Sequence, residues 1–189
     1  MKRIMLLCFL IATVIGGVKA QKGMQQVVVD LGVCTDLKME CYTMFGGAAK
    51  YRYHVSDNFC IEPMIQLYYG RSSYSPYSPK RLESIAQEQI ALNVLYYIGR
   101  PRIWRPYVGA GLAIGLYKYD NPNSEGFGLF DGSDSETGPQ FIFGLENRIS
   151  YRFSLHAEAK LFYGSLLSDV DDRTEVTPIM ANVGITYNF

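Results

Sequence analysis

Residues that commonly perform catalysis are scarce in this sequence of 189 residues. Its two histidines are His54 and His156. An acyl-transfer or lipid-modifying enzyme needs a nucleophile activated by an adjacent base, and the chain contains no G-x-S-x-G nucleophile elbow. We predict that His54 is a solvated turn residue and that His156 belongs to a polar network inside the fold. The sequence therefore predicts no catalytic residue and favours a protein that is not an enzyme.

The cysteines and acidic residues do not form a metal-binding pattern. Cys34, Cys41 and Cys60 lack the C-x-x-C motif or the histidine cluster that a zinc site needs. The acidic residues of segment 118–138 do not follow the EF-hand spacing. We therefore expect no metal and no cofactor. Cys34 and Cys41 flank the segment TDLKME and could form a disulfide across a hairpin in an oxidising compartment. The alternative is that the three cysteines are small strand residues with at most one disulfide among them.

The N-terminus has the anatomy of a cleavable secretory signal. Lys2 and Arg3 precede an apolar run, 4–15, and small residues lead up to Ala20. The alternative is a membrane anchor, but this run is shorter than a membrane-spanning helix. We expect a signal peptide, 1–20, followed by one domain, 21–189. Three of the 18 basic residues and none of the 18 acidic residues lie within 1–20, so the domain is slightly acidic and a nucleic-acid partner is not expected.

Runs of alternating apolar and polar residues predict an all-β domain. Eleven residues at about 3.3 Å each, tilted by about 40°, reach roughly 28 Å, which matches the hydrocarbon core of a bilayer. Strands of soluble proteins are usually about half as long. Eight strands are predicted, at 25–33, 41–53, 59–69, 87–98, 106–117, 139–149, 154–163 and 175–189.

The fifth predicted strand, PYVGAGLAIGLY, shows the two faces most clearly. One face is wholly aliphatic, and the other is mostly Gly and Ala. A soluble β-sandwich would carry polar residues such as Lys, Glu and Thr on its outer face. A face of small residues suits the cramped interior of a narrow barrel, where large side chains from other strands need room. The third strand contains Pro63, which removes a ladder hydrogen bond, and we expect a bulge or a local kink there.

Charged side chains of the strands fall on the faces opposite the aliphatic stripes. A charge facing lipid at mid-depth would cost about 2–4 kcal/mol, so this sorting favours a charged lumen over a charged lipid face. The alternative is the solvated face of a soluble, lipocalin-like secreted barrel. Parity places eight residues in a balanced network of ion pairs in the lumen: Asp30, Lys50, Arg52, Glu62, Glu146, Arg148, Glu158 and Lys160.

The stretches RPYVGAGLAIGLY, FIFGLENRISYRFSLHAEAKLFY and VGITYNF resemble the small outer-membrane β-barrel family, whose members include OmpA-transmembrane-like, OmpX-like and opacity-type "porin-like" proteins. The resemblance covers most of 22–189. It implies an eight-stranded antiparallel up-and-down transmembrane β-barrel in the bacterial outer membrane, surrounded by lipid. The terminal Phe189, with Tyr187, looks like the signal that the barrel-assembly machinery reads in this family.

An eight-stranded barrel is just wide enough for its own side chains to fill it. We therefore predict a plugged lumen and a structural or surface-interaction role carried by external loops. The long links 70–86 and 118–138 are the candidates for contact with an extracellular ligand. The simpler alternative, which we prefer for the links themselves, is that they are hydrophilic loops that shield the barrel mouth. The alternatives are a narrow, porin-like channel and, least favoured, a lipid-modifying enzyme.

Overall fold

The structure is a computed structural model that describes residues 23–36, 42–72, 83–99, 104–119, 132–164 and 178–189. Alternating side chains build eight strands. They are β1 (Gln25–Asp36), β2 (Tyr42–His54), β3 (Phe59–Ser72), β4 (Glu83–Tyr97), β5 (Trp104–Tyr119), β6 (Gly132–Arg148), β7 (Phe153–Phe162) and β8 (Pro178–Asn188).

Each strand pairs with the next in antiparallel fashion, and β8 returns to pair with β1. The sheet is therefore a closed barrel without an edge strand, which confirms the predicted fold. We call the end at which β1 begins and β8 ends the turn end. The links 55–58, 98–103 and 149–152 lie there, and the opposite end is the loop end.

The barrel has polar side chains inside and apolar side chains outside, which is the reverse of the arrangement in a soluble protein. Along β7, residues alternate between exposed and buried, and the buried ones include His156, Glu158 and Lys160. Large aliphatic side chains point outward, such as Leu31 on β1 and Leu112 on β5, which are 71% and 65% exposed. An apolar band of this kind is stable when lipid covers it. In the part of the chain that the structure describes, no helix is long and apolar enough to cross a membrane.

Five strands extend further toward the loop end than the sequence predicts: β1, β3, β4, β5 and β6. Strand β4 begins at Glu83, β5 continues to Tyr119 and β6 begins at Gly132, so parts of the predicted loops 70–86 and 118–138 are strand. Beyond the apolar band both faces of a hairpin can be polar, so alternation no longer marks these residues. Cross-strand pairing identifies these residues as strand instead, since Tyr119 lies opposite Gly132 at the end of the β5–β6 ladder.

Pro63 does not cause a bulge. On the β2 side, the pairing resumes with Tyr53 opposite Ile61 after ending with Lys50 opposite Met64, so equal numbers of residues are skipped on both strands. Of the two expected outcomes, the bulge is therefore wrong, and the β2–β3 ladder is instead interrupted locally at Pro63 without an inserted residue. On the β4 side, Pro63 keeps its place opposite Leu92.

Candidate functional site

The lumen holds a cluster of charged side chains that come from the strands. Each is supplied by a position whose neighbours on the same strand face outward, so the alternation that builds the wall also builds the polar interior. Seven of the eight residues placed in the lumen by parity are buried there: Asp30, Lys50, Arg52, Glu62, Glu146, Glu158 and Lys160.

Arg52 is the centre of this cluster. Its guanidinium is fully buried, and Nε lies 2.5 Å from Glu62 Oε2 on the neighbouring strand β3. Nη1 lies 3.5 Å from a carboxylate oxygen of Glu146, and Nη2 lies 3.5 Å from one of Glu158. One guanidinium therefore faces carboxylates from β3, β6 and β7, which matches the planar fork that arginine offers.

Two tyrosines complete the surroundings of Arg52. Its Nη1 donates to the Tyr97 hydroxyl at 3.3 Å, and its Nη2 donates to the Tyr107 hydroxyl at 3.2 Å. The hydroxyls donate in turn to Glu146 and Glu158, each at 3.0 Å. The rings pack 5.1 Å apart and are buried. The tyrosines thus fill the cross-section and satisfy the charges at the same time.

A second set of ion pairs lies around Lys50. Its ammonium pairs with Asp30 on the adjacent strand and with Glu158 across the lumen. His156 Nε2 lies 2.6 Å from Asp30 Oδ1, and Thr186 Oγ1 lies 3.2 Å from the other ring nitrogen of His156. Asp30, His156 and Glu158 have ligand atoms close enough to one another for a metal ion. Because the Lys50 ammonium already pairs with both carboxylates, a metal there would have to displace it.

Lys160 extends the network toward the loop end. Its ammonium lies 3.0 Å from Glu158 Oε1 and donates to Gln66 Oε1 and Met64 Sδ, also at 3.0 Å each. Amide and hydroxyl groups continue the pattern beyond it. They include the pair Gln66 and Gln89, and the Tyr68 hydroxyl, which lies 2.5 Å from the Asn182 amide.

Apolar side chains fill the remaining space on both sides of the charges. The turn-end group is Cys60, Leu95, Tyr97, Tyr107 and Ile142. The loop-end group is Cys34, Met44, Ala48, Met64, Tyr68, Ala91, Ala113, Phe162 and Met180. Side chains therefore occupy the lumen at three successive levels.

A model of the outer membrane protein beta-barrel domain family matches residues 8–189. The closed barrel of eight strands, with its apolar outer band, agrees with this match. The chain belongs to this family. It therefore lies in the bacterial outer membrane. No curated protein sequence matches the chain.

Solved structures of other outer-membrane barrels have the same fold. Neisserial surface protein A has a TM-score of 0.64 at 15% identity, with 88% of this chain and 97% of that one covered. OprG from Pseudomonas aeruginosa has a TM-score of 0.62 at 14% identity, with coverage of 92% and 98%. Ail, the attachment invasion locus protein of Yersinia pestis, was crystallised with the heparin analogue sucrose octasulfate; it has a TM-score of 0.56 at 16% identity, with coverage of 89% and 99%.

Arg148 is the exception among the charges that parity places inside the barrel. It is exposed at the turn end, where Nε donates to the Ser150 carbonyl at 3.3 Å and Nη2 donates to the Tyr151 carbonyl at 3.3 Å. Arg148 is the last residue of β6, and the turn that follows supplies the carbonyl oxygens that its guanidinium bonds. The prediction that Arg148 faces the lumen is wrong for this reason.

The two histidines are both inside the barrel. His156 lies in the polar network, as expected. His54 was expected in a solvated turn, but it is the last residue of β2 and is only 2% exposed. Its Nε2 lies 3.1 Å from Gln26 Oε1, and its ring packs 5.3 Å from that of Tyr97. The strand runs one position further than expected, which turns the ring inward.

The other predicted residues lie outside this network. Cys34 is buried and its thiol donates to Gln87 Oε1 at 3.3 Å. Cys41 lies outside the described residues, so its disulfide with Cys34 remains a prediction. Tyr187 packs edge-on against Phe189 at 5.0 Å, and Phe189 is 69% exposed.

Tyr97 and Tyr107 also belong to the charge cluster, although neither carries a charge that would have indicated this. Parity could have found them, because Tyr107 occupies the small-residue face of β5 and Tyr97 the inward face of β4. Tyr107 lies directly opposite Gly144 on β6, and a Cβ at Gly144 would overlap its ring.

Gly144→Ala is therefore expected to lower the free energy of unfolding by about 1–3 kcal/mol, because the added methyl displaces a ring that bonds Arg52 and Glu158. Urea unfolding in lipid vesicles, followed by the fluorescence of the single tryptophan, Trp104, measures this. Gly115→Ala is the control, because its Cβ would meet its nearest atoms at 3.3 Å. Equal effects of the two substitutions would contradict the prediction.

Proposed function

We propose that this outer-membrane barrel has a structural or surface-interaction role carried by its loop end, and that its lumen is closed. The observation that supports this most is the filled cross-section around Arg52. Arg52, Tyr97 and Tyr107 are at most 1% exposed and span the interior from β2 to β4 and β5. A solute would have to break several ion pairs and move two packed rings in order to pass.

Conductance in planar lipid bilayers separates this proposal from a narrow channel. We expect purified, refolded protein to give no stable openings. Stable, large openings would overturn the closed-lumen proposal and favour the channel. The double variant Tyr97→Gly, Tyr107→Gly checks the sensitivity of the assay, because it removes two buried rings from the same level of the lumen and is expected to leak small ions.

The charge of the outer links indicates what the loop end would contact. The link 120–131 carries Asp120, Glu125 and Asp131 without a basic residue. The basic residues Lys80 and Arg81 lie in the link 73–82. Ail was crystallised with a sulfated polyanion, whereas an acidic link repels such ligands. We therefore propose that an extracellular ligand of this chain, if it engages 118–138, carries positive charge.

A lipid-modifying enzyme is disfavoured by the placement of the histidines. His54 and His156 are 2% and 4% exposed and are engaged inside the barrel, away from the lipid that an enzyme would have to reach. A base for lipid hydrolysis would need a nucleophile beside it at the membrane edge.

We also propose that Phe189 and Tyr187 form the signal read by the barrel-assembly machinery, and that 1–20 is removed during export. The edge-on aromatic pair at the end of the chain supports the first of these, since Tyr187 contacts both Phe189 and Phe153. The small residues before Gln21 support the second.

A further inference from the structure

The position of Arg148 outside the lumen brings two cations together on one turn. Arg148 ends β6 and Arg152 directly precedes β7, so the turn between the two strands has an exposed arginine at each of its ends. Among the described residues, no carboxylate lies within ion-pair distance of either guanidinium. Two neighbouring cations without a protein counter-ion attract an anion from their surroundings.

The turn that carries them is held in one shape. The amides of Ile149 and Ser150 both donate to the Phe153 carbonyl at 3.0 Å, and the Phe153 amide donates to Ser150 Oγ at 3.1 Å. Asn188 at the end of β8 donates its backbone amide to the Arg152 carbonyl at 2.8 Å. The two arginines therefore project from a fixed backbone.

The Arg148 guanidinium is held in one orientation, but it uses only some of its hydrogen-bond donors. Two of its N–H groups bond the carbonyls of Ser150 and Tyr151, and the guanidinium lies 5.7 Å from the centre of the Tyr151 ring. A guanidinium has five N–H donors, so three remain for another acceptor. A phosphate accepts two parallel N–H bonds from such a fork.

Aromatic residues place this turn at the depth of lipid headgroups. Trp104 begins β5 opposite Asn147, one residue before Arg148, and its ring is 59% exposed on the lipid face. Tyr151 is 80% exposed and Phe153 is 47% exposed beside it. Trp and Tyr collect where the apolar band meets the headgroups, so Arg148 lies about 3.3 Å further out, toward the phosphates.

We propose that Arg148 and Arg152, with Trp104 and Tyr151, bind the headgroup phosphate of an anionic phospholipid. The chain ends and short turns of such barrels face the periplasm. The lipid would therefore belong to the periplasmic leaflet and would fix the height and tilt of the β5–β7 side of the barrel. The site is separate from the lumen and from the loop end, so this proposal can be tested independently of the function proposed above.

Trp104 makes the proposal directly measurable, because it is the only tryptophan in the chain and lies beside the site. The protein is refolded into phosphatidylcholine vesicles that contain a small, equal fraction of either brominated phosphatidylglycerol or brominated phosphatidylcholine. Bromine quenches tryptophan fluorescence on contact. We expect the brominated phosphatidylglycerol to quench Trp104 more strongly, and millimolar inorganic phosphate not to remove the difference.

Replacing each arginine tests the source of that preference. A basic residue near an anionic lipid surface contributes about 1 kcal/mol, so Arg148→Gln or Arg152→Gln should each lower the relative affinity for phosphatidylglycerol by about fivefold. The double variant should quench equally with both lipids. Lys118→Gln, at the loop end of β5, is the control and should keep the preference.

Equal quenching of the unchanged protein by the two lipids would overturn the proposal. So would a preference that persists in the double variant. Removal of the difference by inorganic phosphate would also overturn it, because the site would then bind the free anion. A heat-dependent gel shift on the same samples verifies that each variant is folded.

Discussion

Arg52→Ala is expected to lower the free energy of unfolding of the barrel by about 3–5 kcal/mol, because breaking a buried ion pair leaves uncompensated charge behind. Arg52 is 0% exposed and faces Glu62, Glu146 and Glu158. Without it, these carboxylates remain in a lumen that water reaches poorly, and two tyrosine hydroxyls lose their donor. Urea unfolding in vesicles, followed by Trp104 fluorescence, measures the change.

The matched control is Lys118→Ala. Lys118 pairs with Glu88 at 2.5 Å, but both side chains are more than one-third exposed. Exposed pairs of this kind contribute about 0–1 kcal/mol. The account of the lumen would be contradicted if the two substitutions destabilised the barrel equally, because burial would then have no effect on the contribution of the pair.

Leu112→Arg should destabilise the barrel by about 2–4 kcal/mol, because it places a charge on the lipid face near the middle of β5. Leu112 is 65% exposed and lies between Leu92 on β4 and Pro139 on β6. The same urea titration measures this loss. In a soluble barrel, an arginine at so exposed a position would be nearly neutral.

Ile149→Arg is the companion substitution at a different depth. Ile149 is 63% exposed, close to Leu112, but it lies in the link after β6 at the turn end. Near the interface the cost of an arginine falls to about 0–1 kcal/mol. A large loss of stability from Leu112→Arg with a small loss from Ile149→Arg would therefore show that lipid covers this face of the barrel. Equal losses would argue against a lipid-covered face.

The wall of the barrel could be predicted from the sequence because lipid and lumen impose opposite chemistry on alternate residues. In β7, every inward position from Ser154 to Lys160 is polar, so parity alone assigns the face. This signal fades outside the apolar band. Strand β6 therefore begins at Gly132 within a polar segment that carries no alternation, and its extent follows from pairing with β5.

Strand ends explain the two misplaced side chains. Parity counts residues, but it does not show where a strand stops. His54 and Arg148 are both the last residues of their strands, yet His54 is buried and faces inward, whereas Arg148 is exposed and bonds the carbonyls of the following turn. The hydrogen bonds of the following turn decide such positions, and those depend on backbone geometry that composition does not encode.

The sequence also could not predict which of the buried charged residues pair with one another. Arg52 and Glu62 lie on neighbouring strands, and a hairpin register could have suggested their contact. Lys50 and Glu158, however, come from β2 and β7 and meet across the lumen. Their contact depends on the tilt and stagger of the closed barrel, which no single strand reveals.

The central claim is that this chain forms a closed β-barrel within the outer membrane, and electrophoresis of outer-membrane fractions with and without boiling tests it most directly. A closed barrel with a packed lumen resists detergent until it is heated, so the unheated protein should migrate at a different apparent mass from the boiled protein. Identical migration of the two samples, without a β-sheet signal in circular dichroism, would contradict the account.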